Sequence, residues 1–162
     1  MTAAFDALRA NYPKVAKDLF GPLLQLLFVA RSVGDGDMDK VVILAVLSAR
    51  AAEHPDYANV TYDDLESGRA AELVRPTNLS SLAASSGIPK ETARRKVADL
   101  VKMGLIERRG RNLACTPATF QALAPARAAI LRQAVANHQT VVRCLAPAPE
   151  EDGNSRSATP PS

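Results

Sequence analysis

"SGIPKETARRKVADLVKMGLIERRGR", residues 86–111, sets a dense group of cations around a regular apolar beat. Ala93, Val97, Leu100 and Val101 fall at i, i+4, i+7 and i+8, which makes one apolar stripe on a helix covering about 89–103. At roughly 100° per residue, Glu91, Arg95, Ala98 and Lys102 point away from that stripe, with Thr92 and Arg94 on its flanks. The first half of the exposed surface therefore offers Lys90, Glu91, Thr92, Arg94, Arg95 and Lys96. Three plain readings compete for such a surface: a solvated helix face, a membrane-surface helix, or a site for an acidic protein. A fourth, DNA recognition, depends on the flanks.

Upstream, "NLSSLAASS" (78–86) predicts a short helix capped by Asn78 or Ser80, with Leu79, Leu82 and Ala83 on one side. Gly87 can supply the positive φ that ends it, and Pro89 suits the first turn of the next helix. Downstream, Gly104 can serve as a left-handed C-cap. "LIER" and "LACT" then read as two short strands joined by the turn "RGRN" (109–112). A short helix, a glycine turn and a helix that starts with cations and a hydroxyl follow helix-turn-helix logic. A hairpin tipped with Arg109 and Arg111 extends that unit as a wing, which suits the minor groove or flanking phosphates.

Charge placement agrees. Residues 75–115 carry nine Lys/Arg against three acids, a local net of +6 in a chain whose total is +3. The remainder is therefore −3, and a basic segment in an acidic chain is the footprint of a polyanion binder.

The run "LSSLAASSGIPKETARRKVADLVKMGLIERRGRN" resembles the winged helix-turn-helix of bacterial transcriptional regulators of the broad MarR, GntR and IclR groups. The resemblance covers about 78–116, a quarter of the chain, and assigns no subfamily. It implies that Lys90, Thr92, Arg94 and Arg95 enter the major groove. It also implies that Ser80 and Ser81 bind phosphate at the start of the preceding helix, with Arg109 and Arg111 at the wing. On physical grounds alone, arginine is the commonest bidentate reader of guanine, and Lys96 and Lys102 suit phosphates. Glu91 would repel phosphate; it can accept from a cytosine amino group or orient Arg95 one turn on, and the second is favoured.

The rest of the chain reads as mainly α. Residues 1–36 are expected to be helical, broken or kinked near Pro13 and again near Gly21–Pro22. "PLLQLLFVARSV" is apolar over more than one stripe, which fits a fully covered core helix or, slightly better, a dimer interface. Acids in "GDGDMDK" suit the start of a central buried helix running to Glu53. Asp35, Asp37 and Asp39 mimic the opening of a calcium loop, but Lys40 and Val46 stand where its Gly and Glu belong. Residues 54–78 form an insert with a short helix expected around Tyr62–Glu66. After the wing, a helix capped by Thr116 and kinked or divided at Pro125 carries Ala128, Leu131, Val135, His138, Val142 and Leu145 on one long stripe. The expected organisation is an N-terminal dimerisation region (1–36), a DNA-binding unit with a two-stranded wing (37–116), a C-terminal dimerisation helix (117–146) and a disordered tail (147–162).

Two His residues and no phosphate-binding glycine loop or nucleophile elbow leave enzyme chemistry without a constellation. Cys115 and Cys144 sit far apart and read as free thiols, so neither a metal nor a cofactor is expected. No signal peptide or spanning segment is expected, which suits the cytoplasm. The leading expectation is a homodimeric regulator on double-stranded DNA. Its rivals are a protein-interaction or non-specific architectural module, and a third possibility adds a small effector enclosed by the N-terminal helices and the insert with Tyr57 and Tyr62.

Overall fold

The computed structural model describes residues 2–73 and 75–146, so the expected tail at 147–162 lies outside the described residues. The chain is mainly helical, with one small antiparallel sheet. Helices α1 (Ala3–Ala10) and α2 (Tyr12–Val33) part at Asn11, one residue before the helix that Pro13 opens. A break at Gly21–Pro22 does not occur. Helix α2 runs unbroken through Gly21 and Pro22, the ring costing it one backbone hydrogen bond in the interior.

Helix α3 (Met38–Ala49) begins at Asp37, whose carboxylate accepts from the backbone N–H groups of Asp39 (3.0 Å) and Lys40 (3.4 Å). It stops at Ala49 and not at Glu53, because residues 51–54 turn the chain into the insert. The insert holds two 3₁₀ turns, Pro55–Asn59 and Arg69–Leu73, around α4 (Tyr62–Ser67). A capping box fixes α4, with the Thr61 hydroxyl accepting from the Asp64 N–H and the Asp64 carboxylate accepting from the Thr61 N–H. At its end Gly68 has φ 82°, and a Cβ there would lie 2.7 Å from the backbone of Pro117. The insert is thus seated against the helix that Pro117 opens.

Helices α5 (Leu79–Ser86) and α6 (Lys90–Lys102) meet at Gly87, whose φ of 70° makes the turn. Asn78, rather than Ser80, caps α5 by accepting from the Ser81 N–H at 2.9 Å. Gly104 closes α6, with its N–H on the Val101 carbonyl and that of Leu105 on the Leu100 carbonyl. Strands β2 (Ile106–Arg109) and β3 (Asn112–Cys115) form the hairpin, in register Ile106 to Cys115 and Arg109 to Asn112. The sheet has three strands and not two. Strand β1 (Thr77–Asn78) adds to the free edge of β3, Thr77 opposite Leu113.

Helices α7 (Pro117–Ala122) and α8 (Ala124–Leu145) divide at Leu123, so Pro125 opens α8 instead of kinking it. Thr116 precedes α7 but does not cap it through its side chain. Its hydroxyl donates instead to the Gly104 carbonyl at 2.7 Å, tying the hairpin's exit to its entrance.

One core joins these elements. Ile43, Leu44 and Leu47 of α3 are fully buried against Leu82 of α5, Val97 and Leu100 of α6, and Ile106 and Leu113 of the sheet. Helix α2 lies along α8 and is not a fully covered core helix: Val15 is its one buried residue among those described, and Phe28 is 65% exposed. On α8, Ala126, Ala129 and Thr140 face inward, while the stripe of Leu131, Val135, His138, Val142 and Leu145 lies exposed. No helix among the described residues is long and apolar enough to cross a membrane.

Removing Leu100 from this core tests its continuity. Leu100→Ala is expected to lower the unfolding free energy by roughly 2–5 kcal/mol in urea denaturation, the range for deleting a fully buried leucine. A loss well under 1 kcal/mol would mean that α6 is not anchored through this residue.

Candidate nucleic-acid interface

The apolar stripe of α6 fixes which of its side chains meet water. Ala93, Val97 and Leu100 are buried, and Val101 is half-buried. Lys90, Glu91, Arg94, Arg95 and Lys102 are exposed, while Thr92 and Lys96 are half-buried at the margins. Along the outer face, Glu91, Arg94, Arg95, Asp99 and Lys102 line one shallow depression. Its charge is mixed, with three cations set against two carboxylates.

The carboxylates are not passive. The Arg94 guanidinium grips Glu91 with its Nε, 3.0 and 3.1 Å from the two carboxylate oxygens. Glu91 therefore orients Arg94, three residues on, and not Arg95 four residues on as the sequence favours. Both arginines are within reach of a residue at that helical spacing. Hydrogen bonding from Arg94 holds the Glu91 carboxyl below its usual range and raises the Arg94 guanidinium further.

Lys96 has a different partner. Its ammonium pairs with Asp37, the residue that caps α3 fifty-nine positions earlier in the chain. Both side chains are largely shielded, 19% and 23% exposed. The Lys96 hydrogen bond is the largest cause holding the Asp37 carboxyl low, with the two capping N–H groups adding to it. Lys96, expected to meet phosphate, is committed inside the fold to the joint between α3 and α6. Asp37 is the positioning residue the sequence did not reveal as such. Its cap was legible from the acids of "GDGDMDK", but nothing local names Lys96 as its partner.

The hairpin adds a second group of cations. Arg108, Arg109 and Arg111 are exposed at or beside the turn, with Gly110 at φ 63° between the last two. Arg109 donates to Glu107, Nε to Oε1 at 2.6 Å, so this tip cation is partnered as well. Arg108 was counted in the sequence's basic segment without being assigned a role. Among the described residues, Lys90, Arg95, Lys102, Arg108 and Arg111 have no carboxylate within 4 Å.

At the start of α5, Ser80 is exposed and Ser81 half-buried, and the Ser81 N–H is already taken by the Asn78 cap. Ser85 at the other end accepts from Arg50 at 3.2 Å. Cys115 is buried beside the Ser48 hydroxyl, and burial pushes its thiol up to about 11, so it stays protonated. Among the described residues no group of three His, Cys, Asp or Glu side chains is placed to hold a metal ion. Comparison with family models, with curated proteins and with solved structures gives no match to this chain.

The Asp37 joint has a distinct pH signature. Asp37→Ala removes both cap and ion pair and is expected to cost about 1–2 kcal/mol at neutral pH. Asp37→Asn keeps a good cap and loses the pair alone, so it should cost less. Because the folded carboxyl is held low, the pair's contribution is complete above about pH 4 and fades as pH falls through the lower folded value. Urea midpoints of wild type and Asp37→Asn should therefore converge below about pH 4; a constant gap across that range would reject the pairing.

Proposed function

We propose that the chain is a homodimeric, sequence-specific regulator that binds double-stranded DNA through a winged helix-turn-helix. In this reading α5, the Gly87 turn and α6 form the helix-turn-helix, and the β2–β3 hairpin is the wing. The observation that carries it is a set of exposed cations, with no carboxylate within 4 Å among the described residues, on two adjoining elements. Lys90, Arg95 and Lys102 stand on the outer face of α6, while Arg108 and Arg111 stand on the hairpin that follows it directly. A solvated helix face has no need of a glycine turn before it and an arginine-bearing hairpin after it.

Pairing sharpens the roles. Arg95 is the best-placed reader of a base edge, being exposed and unencumbered near the start of α6. Arg94 reaches DNA only by exchanging Glu91 for a base or phosphate, and exposed ion pairs are weak enough to exchange. Thr92, half-buried at the margin, suits a hydroxyl contact. Lys96 drops out of the contact set, Lys102 stays as a phosphate partner, and Arg108 joins it.

Two apolar faces support the dimer. Phe20, Leu24 and Phe28 on α2 are 49%, 48% and 65% exposed, and Leu131, Val135 and Val142 on α8 are 54%, 57% and 52% exposed. Large apolar residues at helical spacing on two neighbouring helices are what an isologous interface buries. Twofold symmetry then sets two α6 helices against a two-fold related operator.

Selection of bound fragments from a random DNA pool, at low and moderate salt, tests the reading. A palindromic motif that survives added salt is expected. Binding that is sequence-blind and vanishes with salt points to an architectural module, and no binding hands the surface to a protein partner. On the selected site Arg95→Ala should weaken affinity about 10- to 100-fold, and Arg111→Ala should flatten the salt slope by about one unit. Val135→Glu should give a monomer by sedimentation equilibrium; an unchanged mass, or a monomeric wild type at micromolar concentration, rejects the interface.

A further inference from the structure

The elements that carry the cations enclose something else on the far side of the core. A cavity of about 450 Å³ lies among α2, α3, α7 and α8. Leu26 and Ala30 of α2, Val41 and Ala45 of α3, and Phe120 of α7 form its apolar walls. Tyr57 and Leu65 close one side, which gives the insert a structural role. Ala45 and Ala49 are exposed, so the cavity opens to solvent along α3.

Arg127 of α8 is the one charged residue in the lining. Its Nη1 donates to the Phe120 carbonyl at 2.7 Å. Its Nε and Nη2 are shielded from water and meet no acceptor among the described residues, and no described carboxylate lies within 4 Å. Two shielded guanidinium nitrogens whose N–H groups stand idle are costly, because neither water nor a counter-charge offsets their lost hydration. Its Nε–Nη2 edge is the fork that matches a carboxylate.

We propose that this cavity binds an amphiphilic monocarboxylate, with its apolar body among α2, α3 and α7 and its head group on Arg127. Binding turns the Nε–Nη2 edge, now shielded by protein, onto the two carboxylate oxygens. At about 30 Å³ per non-hydrogen atom, the share of a water molecule, the cavity holds roughly 15 such atoms. That is the size of a medium-chain fatty acid or a substituted aromatic acid, within the usual range for ligand pockets. A second copy of the chain, packing on the α2 and α8 stripes, would bring apolar side chains and leave the shielded Nε and Nη2 of Arg127 without an anion. The proposal stands apart from DNA binding.

Isothermal titration of the full chain with decanoate, and with decanol as its uncharged counterpart, tests it. Decanoate is expected to bind once per chain, with decanol about 10- to 100-fold weaker, the worth of a charge-assisted hydrogen-bonded pair. Arg127→Met should bring decanoate down to the level of decanol and leave decanol unchanged. Because that variant also loses the bond to Phe120, Ala45→Phe, which narrows the mouth without touching Arg127, provides a second check and should abolish binding of both. Equal affinity for the two ligands, several decanoates per chain, no binding to folded protein, or full binding by either variant would overturn the proposal. So would occupancy that falls as protein concentration rises, since the occupant would then be a second copy.

Discussion

The rotation of α6 about its own axis decides which of its charges reach solvent, and the burial of α3 sets that rotation. Ile43, Leu44 and Leu47 present a fully buried apolar surface, and Ala93, Val97 and Leu100 are the residues of α6 buried with it. Turning α6 by one residue, about 100°, would drive Arg94 or Ala98 toward the core and lift Val97 into water. A buried guanidinium costs far more than an exposed valine, so the register is locked from both sides. The Asp37–Lys96 pair pins the same joint at its edge, with one carboxylate both starting α3 and holding α6. Packing and charge thus impose the same orientation, and any role of the outer face in reading DNA inherits its precision from that agreement.

Much of this was legible in the sequence because it is written locally. The spacing of Ala93, Val97, Leu100 and Val101 gives the helix, Gly87 and Gly104 its limits, and "RGRN" the hairpin turn. The helix of the insert also falls where it is expected, at Tyr62–Ser67 against Tyr62–Glu66. What escaped is non-local. Strand β1 is two residues long and exists because β3 offers it an edge across the whole of α5, α6 and β2. Pro22 shows the converse: of the break or kink its local rule allows, the break does not occur, in a helix that packs along α8.

Charge shows the same division more sharply. Composition yields an inventory of cations, while function depends on which of them remain unpaired. Glu91 could have taken Arg94 or Arg95; Asp37 could have faced solvent; Arg109 could have stood free of Glu107. Side-chain geometry settles each choice, and it moves the open charges of the proposed interface to Lys90, Arg95, Lys102, Arg108 and Arg111. Arg127 is the mirror case: a cation on α8 whose Nε and Nη2 are shielded and meet no acceptor among the described residues. The apolar surroundings that make it costly come from four separate helices, and no window of sequence contains them.

Helix α2 and its partner α8 stand at opposite ends of the described chain, with 90 residues between Val33 and Ala124. That separation orders events during synthesis. At roughly 5–20 residues per second, α2 leaves the ribosome about 5 to 20 seconds before α8 has been made. The face of α2 that packs on α8 lacks that cover through the interval, while the α3–β3 core, all of whose contacts are closer in sequence, can already close. The nascent chain therefore passes through a stage in which its centre is folded and its first long helix is an apolar surface seeking a partner. That face stays open until the chain's own last helix arrives.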